Sequence, residues 1–273
     1  MPELPELEAL AERLQRSVVG RTITGVLVHR PLILRPPASG DNPSAFCAQR
    51  AILSASRRGK TVRLALEGGR WIVLNLMLAG TLRRCPQNEA LRTRDAVSWL
   101  LDDASSLRLH DRTGMAKAYL CDNPDTIPGF DPGPEPFDPS FTAAAFQQAL
   151  RSFRGEIKGI LTRGALVAGI GNAYADEILH AAGIYPFRRS SSLTPPEIGR
   201  LYAAIRTVLA QALEDARSRL DDTLELDHDR ALAVHNRAGQ PCPVCGAPIS
   251  EVRARGRITS FCRQCQPGTL IKQ

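Results

Sequence analysis

Four cysteines near the C-terminal end of the chain stand in two pairs, Cys242-Pro-Val-Cys245 and Cys262-Arg-Gln-Cys265, with sixteen residues between the pairs. Each Cys-x-x-Cys turn can present two thiolates from one tight knuckle, and two knuckles complete the tetrahedral shell of a single zinc. A pair of disulfides is the other use of the same residues, but no secretory leader points to the oxidising compartment where disulfides persist. Zinc is the favoured reading. With sulfur in all four positions the metal has no opening for water, so its role is structural. Cys47, Cys85 and Cys121 are isolated and read as small, partly buried hydrophobes.

Between the pairs runs SEVRARGRITSF, in which Arg253, Arg255 and Arg257 alternate. Alternation places them on one face of a hairpin strand. A metal-stapled basic hairpin can offer a guanidinium to a phosphate, while an edge strand guarded by charge is the plainer use. The stretch GALVAGIGNAYADEIL at 164–179 sets Gly169 and Gly171 just ahead of a helix expected to start near Asn172, and helix N-termini bind anions. It is a poor dinucleotide fingerprint, lacking both the preceding strand and the third glycine. A close-packed helical corner would need the same glycines. At the N-terminal end, MPELPELEAL places Pro2 and Glu3 where a first helical turn accepts them.

Such groups need a scaffold, and 273 residues exceed the usual single domain, so two domains with separate cores are expected. The balance of 23% charged and 43% hydrophobic residues is that of a folded chain. No apolar run approaches the roughly 20 residues needed to cross a bilayer, which argues for a soluble, cytoplasmic protein with neither signal peptide nor membrane segment. The formal charge of +7 favours a polyanionic partner, since cations that neutralise phosphates gain affinity from released counterions.

The expected fold class is α+β. Leu4, Leu7, Leu10, Leu14 and Val18 recur at helical spacing up to Gly20, which predicts an amphipathic helix over 3–19. The runs TITGVLVH, TVRLALEGG, RWIVLNLML, AVSWLLDD, SLRLHD and AKAYL read as strands, giving a β-sandwich with one N-terminal helix over 1–121. DNPDTIPGFDPGPEPFDPS is too rich in proline to continue a sheet, so 122–140 reads as a linker. Helices are expected in FTAAAFQQALRSF, NAYADEILHAAG and EIGRLYAAIRTVLAQALEDARSRL, the last opened by a Thr194–Glu197 capping box. A helical domain over 141–235 and a zinc finger over 236–273 complete the expected order. No 20–50-residue repeat is present.

Taken together, MPELPELE, Arg57-Arg58-Gly59-Lys60, GPEP at 133–136, GIGNAYADEIL and the cysteine pairs around GRITSFCRQCQ resemble the formamidopyrimidine-DNA glycosylase and endonuclease VIII family, in order and over nearly the whole chain. The resemblance implies an N-terminal β-sandwich and a C-terminal helix–two-turn–helix domain with a four-cysteine zinc finger. It also implies a bifunctional DNA glycosylase and abasic-site lyase of base excision repair, acting as a monomer on double-stranded DNA in the bacterial nucleoid. Once Met1 is removed, Pro2 would be a secondary amine able to attack sugar C1′ and form an iminium ion, with β,δ-elimination following. Glu3 matches the acid–base residue and Glu6 a supporting one. Lys60, Asn172 and Arg257 match phosphate ligands, and Arg57, Arg58 and Lys158 would add less specific DNA contacts. Leu78, beside Met77, aligns with an apolar wedge that fills the stack vacated by a flipped nucleotide.

Two departures bear on substrate. HDRTGMAKA offers Thr113 and Met115 where the guanine-oxidation branch places an arginine and a phenylalanine against the orphan base. The stretch DDTLELDHDRALAVHNRAGQPC is shorter than its counterpart and lacks the base-capping loop. Both move the expectation away from 8-oxoguanine, leaving oxidised pyrimidines, ring-opened purines or a bulky lesion. An abasic-site lyase with little base selectivity and a non-catalytic zinc-finger protein binding damaged DNA are the alternatives.

Overall fold

Leu4, Leu7, Leu10 and Leu14 form the buried face of α1 (Leu4–Ser17) in a computed structural model that describes residues 1–37, 40, 42–225, 230–254 and 256–268. Glu3 is the N-cap and not the first helical residue, because the Glu6 carboxylate accepts its backbone N–H at 2.9 Å and satisfies one of the orphan donors of the helix start. Pro5 is tolerated in this first turn because its missing N–H would have had no helical partner.

Two units divide the chain, Met1–Phe130 with Leu213–His228, and Asp131–Ala212 with Asp229–Gln273. The strands of the first are β1 (Thr22–Val28), β2 (Leu34–Arg35), β3 (Arg50–Arg58), β4 (Thr61–Leu66), β5 (Arg70–Asn75), β6 (Gly80–Pro86), β7 (Asp95–Leu101), β8 (Ser105–Asp111) and β9 (Lys117–Cys121), with a short α2 (Pro43–Cys47) before β3. They pair in the order β2-β9-β5-β4-β3-β1-β7-β8-β6, antiparallel throughout except β2 with β9. Between β1 and β3 only Thr22↔Ala51 and Ile23↔Arg50 are matched, so the order breaks into two halves joined at one narrow seam. The α1 helix packs on β3 and β4.

All six runs expected to be strands are strands. Three were not foreseen: the short β2, and β3 and β6, whose arginines blur the apolar alternation. Arg83 in β6 is nonetheless 3% exposed, because Glu89 and Asp95 neutralise it. The run RWIVLNLML is strand only as far as Asn75. There the Asn75 side chain accepts the Met77 N–H at 3.1 Å, Met77 adopts φ +50°, and Gly80 N–H closes on Leu76 O at 2.8 Å. A Cβ on Gly80 would lie 2.5 Å from that oxygen, so only glycine permits the turn.

In the second unit, α3 (Ala143–Leu150) is capped by Thr142 and is followed by α4 (Ile157–Leu161), α5 (Asn172–Ala182), α6 (Pro195–Arg219) and the hairpin β10 (Ser250–Ala254) and β11 (Arg257–Phe261). Phe141, Phe146 and Tyr202 pack edge-on or tilted against one another, with ring centroids 5.4–6.0 Å apart. The box at 194–197 forms in a modified way: Glu197 accepts both the N–H and the hydroxyl of Thr194, each at 2.8 Å.

The division differs from the expected boundaries at two places. Leu213–His228 lies with the first unit, where Arg217 binds Glu12, Arg13 pairs with Asp222 at 2.9 Å, and Arg84 N–H meets Thr223 O at 2.8 Å. The proline-rich stretch 122–140 is shared out. Arg63 holds Asp125 at 2.9 Å in the first unit, while Gly133 N–H bonds Gly164 O at 2.8 Å and Asp131 accepts the Gly169 N–H at 3.0 Å in the second.

Candidate functional site

In the first unit, Pro2 is buried and Glu3 and Glu6 are each 2% exposed. The Glu6–Glu3 backbone bond therefore holds the residue beside Pro2 in one conformation. Lys60 sits at the apex of the two-residue turn joining β3 to β4, where Gly59 takes φ +54° and Lys60 does not adopt positive φ. This is the II′ pattern, which needs glycine first. Lys60 is half-buried, and among the described residues its ammonium has no hydrogen-bond or ion-pair partner.

Arg57 and Arg58 both have partners within the first unit. The Arg57 side chain is 4% exposed, 2.5 Å from Glu8, and also donates to Gly59 O at 3.1 Å. Arg58 lies 5.0 Å from the centroid of Phe130, a ring that also attracts Arg63 at 5.6 Å. These two arginines brace the turn that carries Lys60.

Leu78 leaves the Asn75–Gly80 turn 50% exposed, a geometry open to the wedge role. The 111–116 loop is built on Asp111, fully buried, which accepts Thr113 N–H and Oγ1 at 2.9 Å and Ala116 N–H at 2.8 Å. Burial alone would raise its pKa, but these bonds together hold the carboxyl below the usual range. The Thr113 hydroxyl is thus spent inside the loop, and Met115, 41% exposed, is the apolar residue the loop presents.

In the second unit, Asn172 is the first residue of α5 and its Nδ2 donates to Ile258 O at 2.8 Å. Arg257, next in the chain, is exposed at the start of β11. The fold thus brings Asn172 and Arg257, 85 positions apart, to one place. The basic run 253–257 is not a single strand: Arg253 pairs with Ile258 and Ala254 with Arg257 across the turn, and Arg255 lies outside the described residues. Lys158 is not a surface cation, contrary to its expected role. It is 7% exposed, 2.7 Å from Asp176, and donates to Ile258 O at 2.7 Å and Thr259 Oγ1 at 2.9 Å.

The Cys242, Cys245, Cys262 and Cys265 sulfur atoms lie within 4.8 Å of one another. Zinc–sulfur bonds of about 2.3 Å require tetrahedral edges of about 3.8 Å; Cys242–Cys265 is 3.8 Å and Cys245–Cys262 is 3.4 Å. Zinc fits these donors. Burial opposes ionisation of Cys242, yet the Cys245 and Val244 N–H groups and His180 bring its thiol down to about 6, and a thiolate is the form that binds metal. Burial and the neighbouring sulfur atoms raise Cys265, and Cys245 also stands above its ordinary value; away from the cluster, burial pushes Cys47 up to about 12 and Cys121 to about 11. Structural zinc supplies about 10–16 kcal/mol of apparent binding energy to a small finger. Chelator-stripped protein is therefore expected to lose its gel shift with abasic-site DNA and to regain it with zinc, emission analysis counting one zinc per chain.

Three residues of NAYADEILHAAG escaped the sequence reading. His180 Nε2 is 3.3 Å from Cys242 Sγ, the kind of outer-shell partner that orients a metal ligand. Glu177 accepts the N–H groups of Ala233, Val234 and His235 at 2.6–2.9 Å. Asp176 is fully buried. Three ionisable side chains on a helix bounded by alanine, isoleucine and leucine were the available signal.

Residues 1–117 match the Formamidopyrimidine-DNA glycosylase N-terminal domain, 133–222 the Formamidopyrimidine-DNA glycosylase H2TH domain, and 239–268 the Zinc finger found in FPG and IleRS. The formamidopyrimidine-DNA glycosylase of Symbiobacterium thermophilum is 39% identical over 98% of this chain and 90% of its own. The MutM (Fpg) protein of Thermus thermophilus superposes with a TM-score of 0.84 at 35% identity, over 97% of this chain and 98% of that one. Lactococcus lactis Fpg, in complex with an abasic site containing DNA, gives 0.86 at 26% identity over 97% and 100%. The chain belongs to the formamidopyrimidine-DNA glycosylase family. It is a DNA glycosylase and abasic-site lyase of base excision repair, with one structural zinc. Among the described residues no helix is long and apolar enough to cross a membrane.

Proposed function

We propose that this chain removes ring-opened purines and related oxidised bases, 8-oxoguanine least among them, from double-stranded DNA through a covalent Pro2 intermediate. The observation that carries the reading is the buried Pro2-Glu3 head of α1, pinned by Glu6. After removal of Met1, the Pro2 amine attacks C1′, the damaged base departs with a proton, and an iminium ion forms. Glu3 protonates the sugar oxygen as the ring opens and relays protons afterwards. The iminium acidifies C2′; loss of that proton expels the 3′ phosphate, a second elimination expels the 5′ phosphate, and water releases Pro2.

Lys60, Asn172 and Arg257 clamp the phosphates around the lesion. Support comes from the unpartnered ammonium of Lys60 among the described residues, the exposure of Arg257, and their match to the family motifs. Leu78 fills the space left by the flipped nucleotide. The protein works as a monomer on cytoplasmic, nucleoid DNA, as the family resemblance implies.

The substrate preference rests on the family name and on two features of this chain. The orphan-base loop offers Met115 and a Thr113 whose hydroxyl is already used, and 221–242 is short, though its residues 226–229 lie outside the described residues. A panel of duplexes bearing formamidopyrimidine, oxidised pyrimidine, 8-oxoguanine or an abasic site tests the reading. Formamidopyrimidine is expected to be cut at least about tenfold more efficiently than 8-oxoguanine, a difference of about 1.4 kcal/mol in transition-state binding. Equal rates on all base lesions would favour the unselective lyase, and binding without any cleavage would favour the non-catalytic alternative.

A further inference from the structure

We infer that Asp176 is a positioning residue for the backbone grip, setting the place of Arg257 through Lys158 and Ser260. The inference deepens the phosphate-clamp reading of Asn172 and Arg257 and rests on it. Asp176 is fully buried on α5. Its Oδ1 lies 2.7 Å from Lys158 Nζ; its Oδ2 accepts the Ser260 N–H at 3.0 Å and lies 2.8 Å from His235 Nδ1. Lys158 passes the hold on to Ile258 O and Thr259 Oγ1, and Asn172 shares the Ile258 carbonyl.

Three successive residues of β11, Ile258, Thr259 and Ser260, are thereby tied to α4 or α5, and Arg257 is the next residue toward the hairpin tip. The zinc cannot do this work, since its nearest ligand, Cys262, follows the end of this strand opposite the tip. Nor does the pairing of β10 with β11, which sets their mutual register and leaves the hairpin free to slide as a unit along α5. A buried ion pair stabilises a fold little compared with apolar residues of the same size, because desolvation offsets the attraction. What the Lys158–Asp176 pair provides is directional: charge-assisted bonds at fixed points along one strand.

The test uses the full zinc-loaded chain, abasic-site DNA, and a double-mutant cycle between D176N and R257A. R257A is expected to weaken binding about tenfold, the worth of one charge-assisted contact, and to lower the slope of log K against log salt by about one. D176N is expected to reproduce both changes, to add less than about twofold in the R257A background, and to leave zinc content and the rate of adduct formation at saturating DNA unchanged. Thr259→Val removes one Lys158 partner while conserving volume; a smaller loss in the same direction is expected, and this variant decides the matter if D176N fails to fold. Multiplicative losses in the double variant would show Asp176 to be structural only and overturn the inference, as would unchanged binding in both D176N and Thr259→Val. Should R257A alone bind normally, the clamp reading itself falls, and the inference with it.

Discussion

Pro2→Gly is expected to eliminate the covalent adduct that borohydride traps between the mature protein and abasic-site DNA, with a loss of at least about 100-fold. The size of the effect comes from positioning as much as from nucleophilicity. A terminal glycine still carries an amine, but it lacks the ring that fixes the approach of nitrogen to C1′, and misplacement by about 1 Å can cost about 100-fold. The Pro2 ring is buried at the head of α1, one residue before the N-cap. There the positive end of the helix dipole disfavours an ammonium ion and so favours the free amine. Adduct formation should therefore rise with pH as the ammonium form is lost, because only the unprotonated amine attacks. Retained Met1 would convert the same nitrogen to an amide. Mass spectrometry of active material is expected to find the terminus at Pro2, and full activity with Met1 in place would refute the chemistry.

Glu3→Gln separates the two tasks of that residue. If Glu3 served only as the N-cap of α1, the loss of its charge would cost about 1 kcal/mol of stability or less. As a general acid–base group it contributes about 100- to 10,000-fold to rate. Base excision by Glu3→Gln should therefore fall by at least about 100-fold while the unfolding midpoint moves by only a few degrees. Adduct formation on DNA that already carries an abasic site should survive better than excision of a damaged base, since an abasic deoxyribose already opens reversibly to its aldehyde and so needs less of the help Glu3 gives to ring opening. Equal losses on the two substrates, or a loss of excision matched by a loss of fold, would remove Glu3 from the chemistry.

The parts of this protein legible in its residues are those whose interactions are local. The four thiolates were readable because each Cys-x-x-Cys turn brings its own two ligands together. The helices α1, α3, α5 and α6 were readable because apolar spacing and caps act over one or two turns. Tertiary structure decided what the charged residues do. Lys158 looks like a surface cation in sequence, yet it is buried, because Asp176 and the carbonyl of Ile258, 100 positions away, take up its donors. Arg57 likewise finds Glu8 on α1. Strands β3 and β6 were hidden for a related reason: an arginine such as Arg83 disrupts any apolar pattern until Asp95 and Glu89 neutralise it. Charge can be buried only where a distant partner meets it, and only the folded chain determines which distant residues meet.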